Sequence, residues 1–170
     1  MTQVMACIDG SHSTRAVCDY AAWASQRLSA PLTLLHVLDE VQYPTQPDLS
    51  GAIGLGSREH LLEELASLDQ KRHTLAMEQG RLMLEAARER VQTEGAEPAQ
   101  LRQRHGDLVE CLSELEADIR LLVIGRQGKT CDSFNQLLGS HLENVIRTLH
   151  RPILVSCGEF KAPQSYMLAY

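Results

Sequence analysis

Three short stretches of this chain carry residues that could do chemistry on a ligand. Asp9-Gly10-Ser11 follows a run of apolar residues, Gly125-Arg126-Gln127-Gly128 follows another, and Gly139-Ser140 precedes an amphipathic stretch. Glycines let a backbone approach a ligand closely, and the first amides of a helix offer the positive end of its dipole to an anion. Asp9 would accept hydrogen bonds from ribose or base groups, while Lys129 could reach phosphates as a flexible point charge. Together they suit a nucleotide. Each part also has a purely structural reading. Ser140 with Glu143 forms a capping box, which stabilises a helix start by about 1 kcal/mol with or without a phosphate. Gly125 could serve only a tight turn out of a strand.

No nucleophile, base and oxyanion set assembles in the sequence, and GxSxG, HExxH and the Walker A pattern are absent. No catalytic residue is assigned. Gly51, Gly54 and Gly56 spell GxxGxG rather than GxGxxG, and no strand leads into them, so the dinucleotide fingerprint is missing as well. His36 and His105 have no second ligand at a useful spacing and read as ordinary strand residues, and no metal site is assigned. The five cysteines, Cys7, Cys18, Cys111, Cys131 and Cys157, form no CxxC or Cys/His pattern and read as reduced thiols.

The elements that would position these residues alternate between strand and helix. Val4 to Ile8 is a short apolar run ending in a turn. From Ser13, a serine able to cap, Val17, Tyr20, Ala21, Ala24 and Leu28 recur at helical spacing. Leu32 to Leu38 is a second buried strand. Residues 41–57, with Pro44, Pro47, Gly51, Gly54 and Gly56, read as a long loop. Arg58 to about Glu94 is helical by composition, as one long helix or two, with Leu61, Leu65, Leu68, Leu75 and Leu82 forming a stripe that suits a core or a dimer surface. Leu101 to His105 is a charge-rich strand fit for a sheet edge. Asp107 and Glu110 open a helix lined by Leu108, Leu112 and Leu115.

Leu121 to Ile124 is the most apolar run and reads as a central strand. Leu142, Val145, Ile146 and Leu149 give the next helix its apolar face, and Pro152 to Val155 is the last strand. Such alternation implies an α/β domain with a parallel sheet and helices on both faces. In these sheets ligands settle beyond the carboxyl ends of the strands, where Asp9 and Gly125 fall.

The 170 residues, 44% of them hydrophobic, are enough for one domain with a real core. The net charge of −6 is spread along the chain without a lysine or arginine run, which argues against nucleic acid as a partner. No segment approaches the ~18 consecutive apolar residues that would span a bilayer, and Met1 to Asp9 lacks the pattern of a leader. The expectation is a cytoplasmic protein without membrane contact.

Val-Ile-Gly-Arg-Gln-Gly, then Leu-Leu-Gly-Ser-His-Leu-Glu-Asn-Val-Ile-Arg and Arg-Pro-Ile-Leu-Val, resemble the C-terminal signature of the universal stress proteins. Asp9-Gly10-Ser11 and Leu34-Leu35-His36-Val37 are similar to that family's N-terminal pattern, and the likeness covers residues 3–156. It implies a three-layer, doubly wound, five-stranded parallel sheet in the order 3-2-1-4-5, of the adenine nucleotide alpha hydrolase-like kind. It also implies a stress-response protein, often a homodimer, that binds ATP or another adenine nucleotide without substantial catalysis. Carried over by position, the nucleotide contacts are Asp9, Val37, Ile124, Gly125, Gly128, Gly139 and Ser140. Ten residues separate Gly128 from Gly139, one more than the family pattern. Asp132 in that loop adds negative charge near the phosphates, which calls for a divalent ion such as Mg or an outward orientation.

Two other functional classes stand beside this one. One is a nucleotide-free interaction module whose crevice is closed by residues 41–57. The other is an ATP-hydrolysing enzyme, against which the glycine-poor Asp9-Gly10-Ser11-His12-Ser13 loop argues. The domain is expected over residues 1–157. Residues 158–170 read as linker and tail, and Tyr166 to Tyr170 echo Val4 to Ile8 as if a second repeat began there, making a tandem protein with a fused second domain.

Overall fold

The computed structural model describes residues 2–38, 55–127, 140–165 and 167–169, and leaves the side chains of residues 55–62 and 140 aside. In chain order the elements are β1 (Gln3–Cys7), α1 (Ser13–Leu28), β2 (Leu32–Leu38), α2 (Leu55–Thr93), β3 (Gln100–His105), α3 (Leu108–Leu115), a short 3-10 turn (Glu116–Asp118), β4 (Ile119–Gly125), α4 (Ser140–Thr148) and β5 (Ile153–Ser156). The five strands form one sheet in the order β3-β2-β1-β4-β5, every pair parallel, as the resemblance implied. β3 lies at an edge, where its burial alternates little because its charged side chains face water.

The period-two alternation of the strands divides the core into two layers. Val4 and Ala6 of β1, Leu32 and Leu34 of β2 and Val123 of β4 pack with Val17, Ala21, Leu84 and Val91 of α1 and α2. Met5, Leu35, Leu122 and Ile124 face the other way, against Leu112 and Leu115 of α3 and Leu142 and Val145 of α4. Both faces of the central strands are therefore covered, which is why they read as continuous apolar runs.

α2 is a single helix of 39 residues, about 58 Å long at 1.5 Å per residue. It begins at Leu55, so residues 55–57 are helical rather than part of the expected loop, and residues 41–54 lie outside the described residues. Its sheet-facing side is made of Ala76, Leu84, Ala87 and Val91, with Gly80 at the closest approach. A β-carbon on Gly80 would stand 2.5 Å from Gln103 Nε2 and 2.7 Å from His36 Cδ2, so only glycine lets the helix sit this near β2 and β3. The leucine stripe is not core: Leu68 is 52%, Leu75 70% and Leu82 53% exposed. Leu61 belongs to the stripe by sequence, but its side chain lies outside the described residues.

Two further expectations change. Ser13 is the first residue of α1 rather than its cap, and His12 at the N-cap position makes no side-chain cap bond. Ile146 of α4 is half exposed, while Leu142, Val145 and Leu149 are buried as expected. Asp107 does cap α3, accepting from the amides of Val109 at 2.8 Å and Glu110 at 3.0 Å. After β5 the chain turns back along α1, where Phe160 meets Tyr20 edge to face with ring centres 4.9 Å apart.

Candidate functional site

The strand order doubles back at β1, whose neighbours are β2 on one side and β4 on the other. At such a point the connections leave to opposite faces and open a crevice at the carboxyl ends. Cys7 pairs with Leu35 and Ala6 with Val123, and this register carries Asp9 level with Val37 and beside the ends Ile124 and Gly125 of β4. Ile8 extends the pairing, its amide donating to the Leu35 carbonyl at 2.8 Å. His36 Nδ1 donates to the Ile8 carbonyl at 2.7 Å, and since a carbonyl only accepts, Nδ1 carries the proton. The end of β1 is thus pinned to β2 immediately before Asp9.

Asp9 itself is half-buried, and its Oδ1 is committed locally. It accepts from the Ser11 amide at 2.9 Å and the Thr14 hydroxyl at 3.2 Å, which ties the loop to the first turn of α1. Neither of these two bonds goes to a backbone amide of α1, so they brace its first turn through the Thr14 side chain rather than cap it. Sequence reasoning treated Asp9 as a ligand group alone; the Asp-x-Ser-x-x-Thr spacing was the available sign of its second task.

Gly125 is positioned by close approach to α1. A β-carbon there would lie 3.0 Å from Ser13 Cβ, tighter than ordinary side-chain contact. Val37 is half-buried and Ile124 buried, both on the α3 and α4 side. Ser140 is the first residue of α4, which places its backbone at the positive end of that helix; its side chain lies outside the described residues. Glu143, its expected partner in a capping box, accepts from Arg147 Nη2 at 2.7 Å. Gly128, Lys129, Cys131, Asp132 and Gly139 lie outside the described residues. The structure thus brings together Asp9, Val37, Ile124 and Gly125.

Further residues complete the strand ends. An open groove of about 710 Å³ borders them on the α1 side, lined among others by Ser13, Arg15, Arg126, Gln127, Ser156 and Phe160. Its wall holds a bidentate pair, with Arg90 Nε donating to Asp19 Oδ1 at 2.8 Å and Arg90 Nη2 to Asp19 Oδ2 at 3.0 Å. Among the described residues, two buried side-chain hydroxyls have no protein partner, Ser11 Oγ and Ser156 Oγ. Both sit at carboxyl ends of the sheet, after β1 and at the end of β5. A buried hydroxyl left unmet costs about 1–3 kcal/mol, so these positions favour a polar ligand or ordered water. Ser11 lies in the loop that carries Asp9, so one of these unmet hydroxyls borders the candidate crevice.

Cys7 ends β1 beside this crevice, yet it is no nucleophile. Burial pushes its thiol up from 9.0 to about 12, and the charge of Asp9 adds to the shift. At neutral pH it stays protonated. Among the described residues no group of three or more His, Cys, Asp or Glu could hold a metal ion, and no helix is long and apolar enough to cross a membrane.

Comparison with known proteins agrees with this fold. The chain is 31% identical over 172 aligned positions to a universal stress protein of Synechocystis sp., covering all of this chain and 60% of that relative, so it spans about three-fifths of the relative's length. Among solved structures it is similar to UspA from Lactobacillus plantarum, with a TM-score of 0.58, 21% identity and coverage of 91% and 96% of the two chains. A universal stress protein in complex with cAMP superposes with a TM-score of 0.58 at 23% identity, covering 91% and 95%. One from Archaeoglobus fulgidus in complex with dAMP superposes at 0.53 and 16%, covering 91% and 97%. At these identities the structures show the fold. The family model of the universal stress proteins matches residues 1–156, which include all five strands and the crevice, and the chain belongs to that family.

Proposed function

We propose that this protein is a cytoplasmic stress-response regulator that holds ATP or another adenine nucleotide at the carboxyl ends of β1 and β4, without substantial turnover. The observation that carries this reading is the unpartnered, buried Ser11 hydroxyl in the same loop as Asp9, at the point where the strand order reverses. The complexes of related folds with cAMP and dAMP support an adenine nucleotide as the ligand class. Asp9 and Ser11 would take ribose or base groups, Val37 and Ile124 would supply apolar contact to the base, and Gly125 would give the backbone access. Gly128, Gly139, Ser140 and Lys129 would meet the phosphates, with Mg neutralising them. Bound nucleotide would bias the loops around the crevice and so the surface offered to a partner. The echo of β1 in the tail supports a fused second domain of the same kind.

Equilibrium dialysis with labelled ATP tests the proposal. Saturable binding that weakens at least about tenfold in Asp9→Asn, and is lost in Gly139→Val, is expected. Absence of binding at millimolar ATP contradicts it, and repeated phosphate release from ATP contradicts the claim of little turnover.

A further inference from the structure

The groove on the α1 side of the sheet is a different place from the crevice. Val37 and Ile124 face α3 and α4, whereas Ser156 follows Leu154 by two residues on β5. Leu154 packs with α1 and α2, so alternation along the strand turns the Ser156 side chain toward α1 and into the groove that it lines. Ser156 is 2% exposed, and its Oγ has no protein partner. A buried hydroxyl bonded to nothing in the protein marks a place for a ligand atom or a water. The Ser156 carbonyl accepts from the Arg126 amide at 3.1 Å, which sets Arg126 beside it.

Charge is divided along this groove. At the strand ends Arg15 and Arg126 are exposed, and among the described residues neither has an ion-pair partner. α1 begins there with no acidic residue in its first turn, and Asp9 lies outside the lining. One turn further on, about 6 Å along α1 from Arg15, Arg90 is held by Asp19 and stands 3.5 Å from Glu94. Phe160 meets Tyr20, so the tail carries Glu159 to this second end. Glu94 and Glu159 are exposed there and present carboxylate oxygens.

We infer that this groove is a binding site for a small phosphate ester of a polyol, a sugar phosphate by class. Arg15, Arg126 and the Ser156 hydroxyl hold the phosphate, because guanidinium groups match its oxygens and the hydroxyl gains the partner it lacks. Asp19, Glu94 and Glu159 accept from the ligand's hydroxyls at the other end. The volume of about 710 Å³ is that of a small-molecule site and far exceeds a lone phosphate. Occupancy here requires no nucleotide in the crevice.

Isothermal titration calorimetry with glucose 6-phosphate, and separately with inorganic phosphate, tests this. Saturable binding of glucose 6-phosphate with a dissociation constant of about 1 mM or tighter is expected, with inorganic phosphate at least about fivefold weaker. Arg126→Ala should weaken binding by about tenfold or more, and Ser156→Ala by about fivefold. Ser156→Ala should also leave the urea midpoint at or above that of wild type, because it removes a hydroxyl that the protein does not satisfy. Gly139→Val, expected to abolish ATP binding, should leave glucose 6-phosphate binding intact. No binding at about 10 mM, affinity indifferent to both Arg126→Ala and Ser156→Ala, or a lowered midpoint in Ser156→Ala overturns the inference. Binding lost in Gly139→Val places the probe in the crevice and overturns it too, and inorganic phosphate binding as tightly as the ester overturns the polyol assignment.

Discussion

The Thr14 hydroxyl donates to Asp9 Oδ1 at 3.2 Å, so the carboxylate proposed to meet a ligand also holds the first turn of α1. The two tasks separate by substitution. Asn keeps an acceptor oxygen and should hold the turn, leaving stability within about 0.5 kcal/mol of wild type. Ala removes it and should cost about 1 kcal/mol, the usual net worth of a lost hydrogen bond. Urea unfolding distinguishes the variants. Equal losses in both would mean that the charge, not the acceptor geometry, holds the loop.

Gly125 and Ser13 form a contact that a side chain would crowd. Gly125→Ala is expected to cost about 1–2 kcal/mol, the usual range for overpacking. If the crowding is against Ser13 Cβ, adding Ser13→Gly should recover part of it, with a coupling of about 0.5 kcal/mol or more in a double-mutant cycle. Strict additivity would place the crowding elsewhere.

Asp19 and Arg90 join α1 to the far end of α2. The Asp19 side chain is only 10% exposed and that of Arg90 32%, so the carboxylate is the more deeply held partner. Arg90→Met should cost about 2 kcal/mol, because it strands a buried charge. A chemical-denaturation shift within about 0.5 kcal/mol of wild type would show that solvent already screens the pair.

Cys18 is buried on α1, and burial first, then the neighbouring Asp19, raises its thiol from 9.0 to about 12. A thiol whose folded value is raised contributes stability that is present below pH 9 and is lost as pH climbs toward 12, because the unfolded chain releases its proton first. Stability should therefore fall less steeply over that window in Cys18→Ala than in wild type. Alkylation at about pH 8, resolved by peptide mapping, should label exposed Cys157 quickly and Cys18 only after denaturation.

Most of the architecture could be read from residue patterns. Strands buried on both faces write themselves as apolar runs, and Asp107 announced the start of α3 by its cap chemistry. The sheet order needed the family resemblance, because alternation alone leaves the placement of parallel strands open. The leucine stripe of α2 left core and dimer surface both open for a physical reason. Spacing shows which residues share a face, but not whether the sheet reaches that far, and the true contact uses Ala76, Gly80 and Ala87, small residues that hydropathy ranks below leucine. At the crevice, Asp9, Val37, Ile124 and Gly125 were nameable in advance, whereas Ser11 stood out only as part of the Asp9 stretch and Ser156 not at all. An unpartnered hydroxyl is a property of three-dimensional surroundings, invisible in a string of letters.

The central claim is that adenine nucleotide occupies the crevice at the ends of β1 and β4. Titrating ATP into isotopically labelled protein and following backbone amide resonances tests it most directly. Saturable shifts concentrated at Ser11, Val37, Ile124 and Gly125, and absent from α3, are the predicted result. No saturable shift at millimolar ATP, or shifts confined to a surface away from these four residues, would contradict it.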